Sequence, residues 1–344
     1  MARKRRSSIV HQVSQAINAI NRIGESKREA KHKGGSGIHS IKQVKETLSA
    51  AQNFVKWIRG NYGIKSIYDL KEEHYITYLE HLTALERSPG HKQNVETALR
   101  HLQKGMEIRS LDRGLKPIIF VPEKRITNWR ELKKAENRSY SSEEFESMLP
   151  FLSVNVQDSV NLMRYMGLRV RESCKIKVKH FKESSGVWVL NISSEEATGI
   201  TKGGRHRKTP VPPKFQEKLI LILKDKEPDS TVVSVKVATV RSAVNAACKK
   251  VGIDQNGRGT HGFRHLYCRD RLRELLREKG ITNEGEVMLE RIMKNRDQGR
   301  KADYSILTEQ DIKVYNLLKG AIDQVHEEIG HGEDRWDLAE RYMR

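Results

Sequence analysis

Val44, Leu48, Ala51, Phe54, Val55 and Ile58 recur at helical spacing and give one apolar face. Gly60 is the expected stop of that helix. A second helix is expected from about Lys71, carrying Tyr75, Tyr78, Leu79 and Leu82. A third runs from about Pro89 to Gly105, with Val95, Leu99 and Leu102 inward and Lys92, Arg100 and Lys104 on the other face. Short helices of this kind make a small basic bundle over residues 37–111. Residues 112–139 read as a linker, because Gly114, Pro117 and Pro122 precede a charged stretch from Glu123 to Arg138. Ser141 and Glu144 fit a capping box ahead of an apolar run, so a second domain is expected over 140–344. It starts helical with Phe145, Met148, Leu149 and Val160 to Met166. The β-branched run Val187 to Ile192 predicts a strand, residues 199–212 a turn and a second short strand, and Val237 to Val251 a helix closed by Gly252. From His261 onward the pattern is helical. The fold class expected is mainly α with a small β-sheet or hairpin (α+β).

Composition narrows the function. The apolar set is 37% of 344 residues, enough for a sizeable core. The net charge is +20 and the isoelectric point near 9.8, the electrostatic footprint of a nucleic-acid partner. Residues 1–36 read as a basic tail, with nine Lys or Arg against two Glu through Gly35. No run of about 18 apolar residues exists, so no membrane-spanning helix is expected. Cys174, Cys248 and Cys268 are too few for a disulfide framework and lack zinc spacing. They are expected as reduced, buried thiols in a cytoplasmic protein, nucleoid-associated if bacterial or phage.

Four segments carry candidate chemistry: Gly167-Leu168-Arg169-Val170-Arg171-Glu172-Ser173; Thr201-Lys202-Gly203-Gly204-Arg205-His206-Arg207; His261-Gly262-Phe263-Arg264-His265; and Gly330-His331 followed by Tyr342. Each alone has an ordinary structural reading. The glycines of the second allow a tight hairpin tip that presents Arg205 and Arg207 to a groove. On a helix, His261 and Arg264 share a face.

In this order, Arg, hairpin Lys, H-x-x-R, G-H and a late Tyr resemble the tyrosine recombinases, or lambda-integrase family, over almost the whole chain. Gly167-Leu168-Arg169-…-Glu172 is similar to the family's G-L-R-x-x-E, and the 201–207 segment to its G-K-G-x-x-x-R turn, with Thr201 where Gly is usual. The resemblance implies a helical core-binding domain followed by a catalytic domain. It implies that Tyr342 attacks a DNA phosphodiester to give a 3′-phosphotyrosyl bond, that Arg169 and Arg264 clamp the non-bridging oxygens, and that Lys202 protonates the 5′-oxygen. It further implies that His261 is general acid/base toward the tyrosine, that His331 bonds the phosphate and that Glu172 orients the basic groups. No metal, cofactor or ATP is implied. The implied partners are a double-stranded DNA recombination site and further copies of the chain, as a tetramer in synapse. DNA-reading candidates are Lys92, Asn94 and Arg100 in the first domain and Arg241, Asn245 and Lys249 in the second, with Arg205 and Arg207 at the hairpin.

Three departures accompany the resemblance. The 67 positions from Arg264 to His331 exceed the family's usual spacing, so about 270–320 reads as a helical insertion, either a solvated extension or an added DNA or protomer contact. It contains Tyr304 and Tyr315, rivals to Tyr342 as nucleophile. The His331-to-Tyr342 spacing is slightly long, and only Met343 and Arg344 follow the tyrosine. Two alternatives are a catalytically silent DNA-binding protein on the same scaffold and a type IB topoisomerase-like or telomere-resolving enzyme. A metal-dependent nuclease or transposase fits poorly.

Overall fold

The computed structural model describes residues 8–25, 37–127, 136–300 and 305–344. The chain forms two compact units, Met1–Lys133 and Lys134–Arg344.

In the first unit, α1 (Ile9–Ala19) starts at Ser8, whose hydroxyl accepts from the His11 amide. Then come α2 (Ile41–Tyr62), α3 (Glu72–Ala84) and α4 (Pro89–Leu111). The helices pack on Val13, Ile17, Ala51, Phe54, Val55, Ile58, Leu99 and Leu102, all fully buried. The expected basic tail is therefore corrected over residues 8–25. Charge around this stretch conceals the spacing of Ile9, Val13, Ala16, Ile17 and Ile20, which makes it a core helix. The rest of the tail, 1–7 and 26–36, lies outside the described residues. Gly60 does not end α2. Gly63 does, in the left-handed region at φ 69°. Gly105, the expected end of α4, lies inside the helix, where α1 crosses it.

The expected linker is also corrected in part. Gln103 Oε1 accepts from the amides of Phe120 (3.0 Å) and Val121 (2.7 Å), and Glu96 Oε1 from that of Ile126 (2.9 Å). Phe120 is fully buried and stacks on Phe54 at 6.0 Å. Residues 120–127 are thus strapped along one face of α4, since positions 96 and 103 are two turns apart.

The second unit opens with α5 (Ser142–Met148), where the Ser141–Glu144 capping box forms. It continues through α6 (Val154–Met166) and the short α7 (Val170–Ser173) into an antiparallel sheet. The sheet has order β1 (Phe181–Ser184), β2 (Val187–Ile192), β3 (Arg207–Pro210), with Leu190 paired to both Phe181 and Thr209. Strand β1 carries no apolar run and gave no sequence signal. Helices α8 (Pro213–Leu223), α9 (Val237–Lys250), α10 (Gly262–Glu278), α11 (Thr282–Asp297), α12 (Glu309–Glu328) and α13 (Trp336–Met343) follow. The fold is mainly α with a small antiparallel sheet.

One apolar core lies between α5, α6, the sheet, α8 and α9. A second gathers residues of α10, α11, α12 and α13, with Leu276 of α10 and Leu318, Ala321 and Val325 of α12 all fully buried. The solvated-extension reading of 270–320 does not describe α12, which is a core helix. Cys248 and Cys268 are buried free thiols, whereas Cys174 is only half-buried. Among the described residues, no helix is long and apolar enough to cross a membrane.

A Cβ on Gly105 would stand 2.0 Å from the Ala16 carbonyl oxygen, so α1 and α4 touch backbone to backbone there. Gly105→Ala is expected to destabilise the first unit by ~1–3 kcal/mol through overpacking. Hydrogen exchange of the α1 amides reads this directly, and unchanged protection would contradict the close approach.

Candidate active site

The site is built on Gly167. This residue ends α6 in the left-handed region at φ 58°, and a Cβ there would meet the Tyr267 ring at 2.4 Å. Both facts demand glycine. The turn places Arg169 at the start of α7, where Glu172 closes a capping box: its Oε2 accepts from the Arg169 amide (2.8 Å) and its Oε1 from Arg169 Nη1 (2.7 Å).

Glu172 is buried and draws in two further guanidiniums. Arg207 Nη1 donates to its Oε2 at 2.6 Å, and Arg264 Nη1 lies 3.6 Å from the same oxygen. Burial by itself raises the Glu172 pKa, but Arg207, Arg264 and Arg169 overrule it and hold the carboxyl at about 2. Arg264 is fully buried and ties two helix ends together, donating to the carbonyls of Gly167 and Ile329, each at 2.6 Å.

His331 follows the end of α12 and is held over this cluster. Its Nε2 lies 2.7 Å from Arg169 Nη2 and 3.3 Å from Arg264 Nη2. Guanidinium groups only donate, so Nε2 is the acceptor and the ring proton sits on Nδ1. Burial, then Arg264 and Arg169, push the His331 pKa down to about 3. Two buried atoms of the cluster, Arg264 Nε and His331 Nδ1, lack a partner among the described residues.

Tyr342 is buried on α13, with its hydroxyl 3.2 Å from His261 Nε2. Its ring stands 5.7 Å from His331 and 4.7 Å from His265, with the Arg264 guanidinium carbon 5.7 Å from its centroid. Crowding by protein atoms, then the charges of Arg264 and Arg169, lower the His261 pKa to about 4. The imidazole is therefore neutral near pH 7 and able to take a phenol proton.

Six of the singled-out residues thus converge: Arg169, Glu172, His261, Arg264, His331 and Tyr342. Lys202 is exposed on the loop between β2 and β3, and that loop and Arg169 line one cleft of about 600 Å³. The loop is longer than the expected hairpin tip, since β2 ends at Ile192 and β3 starts at Arg207. Arg205 is exposed on it.

Arg207 is a correction. It was expected at a groove-facing tip, but it is 2% exposed, bonded to Glu172, to the Met166 carbonyl (2.7 Å) and to Thr209 Oγ1 (3.2 Å). The period of two in β3 turns Arg207 and Thr209 inward and Lys208 outward. Arg100 is likewise engaged at home: its Nη2 donates to the Pro122 carbonyl at 2.8 Å. Lys92 is half-buried and donates to Thr83 Oγ1, while Asn94 is exposed. Arg241, Asn245 and Lys249 are exposed at successive fourth positions, one stripe of α9. Of the rival tyrosines, Tyr315 stacks on Trp336 at 6.0 Å, and Tyr304 lies outside the described residues.

Two supporting residues escaped the sequence reading. His265 follows His261 by one helical turn, a spacing that signals a shared face. Glu328 accepts from Tyr267 (2.7 Å) and Arg271 (3.1 Å), bracing the end of α12 from which His331 emerges. Nothing local in the sequence marks that role.

Breaking a buried ion pair by removing one partner costs about 3–5 kcal/mol. Arg207→Ala is therefore expected to lower the melting temperature of the second unit by roughly 10 °C. A calorimetric shift under about 2 °C would show that Arg207 does not stabilise the cluster.

No family model matches the sequence, and no curated protein matches it. Solved structures do. The XerH site-specific recombinase bound to its difH substrate, in a pre-cleavage complex, superposes with a TM-score of 0.57 at 15% identity, over 98% of this chain and 92% of that one. The post-cleavage XerH complex with palindromic difH gives 0.55 at 15% identity, over 77% and 84%. A lambda integrase dimer bound to a COC′ core site gives 0.55 at 14% identity, over 91% and 75%. The resemblance read from the motifs extends to the backbone: the chain has the fold of the tyrosine recombinases.

Proposed function

We propose that this chain is a site-specific tyrosine recombinase, cleaving and rejoining DNA through a 3′-phosphotyrosyl intermediate. The observation that carries this reading is the Tyr342 hydroxyl 3.2 Å from His261 Nε2, beside Arg264, Arg169 and His331. Neutral His261 accepts the phenol proton as Tyr342 Oη attacks phosphorus. The P–O5′ bond breaks, and Lys202, which lines the same cleft as Arg169, protonates the leaving oxygen. Arg169 and Arg264 stabilise the growing phosphoryl charge, because guanidinium forks match phosphate oxygens. His331 hydrogen-bonds the same phosphate. The covalent bond conserves the phosphodiester's energy, so the 5′-hydroxyl rejoins without ATP and without a metal ion.

In this reading the first unit is the core-binding domain and the second the catalytic domain. The partner is duplex DNA, gripped through counterion release by a chain of net charge +20. Arg205 and the Arg241–Asn245–Lys249 stripe supply contacts in the second unit, with Lys92 and Asn94 in the first. Several copies act together, as a tetramer in synapse.

The test is covalent trapping in EDTA on nicked duplexes tiled from DNA flanking the gene. An SDS-resistant adduct is expected with the natural protein and with Tyr304→Phe, and none with Tyr342→Phe. Loss with Tyr304→Phe instead moves the nucleophile, and no adduct on any duplex of the set overturns catalysis. The rate of adduct formation gives a second check. His261 loses its base function only on protonation, and its pKa lies at about 4 rather than 6.5. The rate is expected to stay flat from about pH 8 to about pH 6 and to fall below about pH 5. An acid limb centred near 6.5 would contradict the lowered pKa of His261.

A further inference from the structure

The loop between β2 and β3 carries Lys202 and is pinned almost to its tip. Ala197 is fully buried in the core of the second unit, and Ile200 packs against that core. The Ala197 carbonyl accepts from the amides of Ile200 and Thr201, each at 3.0 Å, so the chain is fixed as far as Thr201. From the other side, Arg207 is held by Glu172, and His206 Nε2 lies 3.0 Å from Asn191 Oδ1 of β2. Between these anchors the Thr201 hydroxyl donates to the Arg205 carbonyl at 2.7 Å, and the Gly204 amide to the Thr201 carbonyl at 3.3 Å. Only Lys202, Gly203 and Gly204 lie inside that closure. Both glycines are in the left-handed region, at φ 79° and 63°, which lets so short a tip turn back on itself. A lysine on a long open loop samples many backbone positions. On this closed tip Lys202 starts from one, beside the cleft that it lines with Arg169.

We propose that Thr201 is a positioning residue, whose hydroxyl closes the loop tip and so holds Lys202 where it protonates the 5′-oxygen. This rests on the recombinase reading and deepens it. It assigns a role to the residue that stands where the family usually has glycine, which has no hydroxyl to close the tip. As the P–O5′ bond breaks, one Nζ proton of Lys202 passes to O5′, leaving a neutral amine and the 5′-hydroxyl. A general acid works only within hydrogen-bond reach of the atom it protonates, so its placement sets the rate. The single hydroxyl proton of Thr201 is engaged by backbone carbonyls, Arg205 at 2.7 Å and Ala197 at 3.4 Å. Thr201 therefore acts through Lys202 and not as a proton donor itself.

The experiment uses the full chain and two variants. Thr201→Val removes the hydroxyl and keeps the branched shape, and Thr201→Ser keeps the hydroxyl. Hydrogen exchange of the Gly204 amide needs no DNA and no catalysis. Thr201→Val is expected to speed it about five-fold, the scale of one hydrogen bond, and Thr201→Ser to leave it unchanged. Unchanged exchange in Thr201→Val, or equal loss in Thr201→Ser, overturns the closure. On the nicked duplex that traps the natural protein, Thr201→Val is expected to form adduct about five-fold more slowly with unchanged DNA affinity, and Thr201→Ser at the natural rate. A second duplex carries sulfur in place of O5′ at the scissile phosphate. It removes the need for an acid, because a thiolate leaves unprotonated far more readily than an alkoxide. On it Thr201→Val and Lys202→Ala are both expected to match the natural protein. A Thr201→Val defect that persists with sulfur, or none with oxygen, overturns the positioning role. Slow Lys202→Ala on the sulfur duplex removes the acid from Lys202 and overturns it as well. If the natural protein traps on no duplex, the recombinase reading fails and the positioning role with it, while exchange still decides whether the tip is closed.

Discussion

One buried carboxylate makes this site possible. Three guanidinium groups cannot share a largely dry pocket unless an anion lies among them, because desolvation and mutual repulsion both disfavour the charged state. Glu172 is that anion. It takes the side chain of Arg207 from the sheet, that of Arg169 from its own turn and, at longer range, that of Arg264 from α10. The sheet, two helices and the Gly167 turn are therefore referred to a single point. Arg207 and Arg264 are both buried, and Arg207 makes the shortest bond to the carboxylate. That leaves Arg169, the least buried of the three, with donors directed to His331 and to the cleft.

The same concentration of positive charge sets the state of the histidines. His265 and His331 have pKa values pushed below the ordinary 6.5 first by burial and His261 by the protein atoms crowding its ring, and neighbouring positive charge lowers all three further. A histidine whose folded pKa is lowered binds its proton first in the unfolded chain. Below about pH 6.5 the unfolded state gains protons that the folded state refuses, so stability falls on acidification. Glu172 adds to this lower down, since its folded pKa of about 2 lies under the ordinary 4.5. The arrangement that keeps His261 a base near neutral pH thus makes the second unit acid-sensitive.

The polar cluster was legible in the sequence because motif residues are tied to local geometry. Gly167-Leu168-Arg169 needs a left-handed turn, and His261 and Arg264 lie one helical turn apart. Arg207 shows the limit of such reading. An arginine in a chain with 64 Lys and Arg looks solvated, and only strand phase decides that it points inward. Strand β1 was silent because just one of its side chains is buried. Helix α1 was masked by nearby charge, and the strap along α4 by prolines and charges that read as a linker. In each case long-range packing overrode composition, as it does when a few apolar positions at the right spacing meet a waiting face.

Burial of Tyr342 is the remaining physical problem. In the proposed reaction, a phenol that is 4% exposed meets a phosphodiester only after some rearrangement around it. Arg264 is fixed by two carbonyls and a carboxylate, and Arg169 by Glu172, so the cationic floor is the stiffer partner. Helix α13 is short, and Gly330 and Gly332 flank the His331 that precedes it. The helix packs on α10 through Leu338, Ala339, Tyr342 and Met343, while its ties to α11 are partly exposed ion pairs, individually weak and screened by salt. In the proposed reaction, the motion that admits the phosphate is therefore assigned to α13 rather than to the guanidinium cluster. The proposed chemistry thus draws on a cationic floor fixed by short hydrogen bonds and on a tyrosine helix tied to α11 by weaker ion pairs.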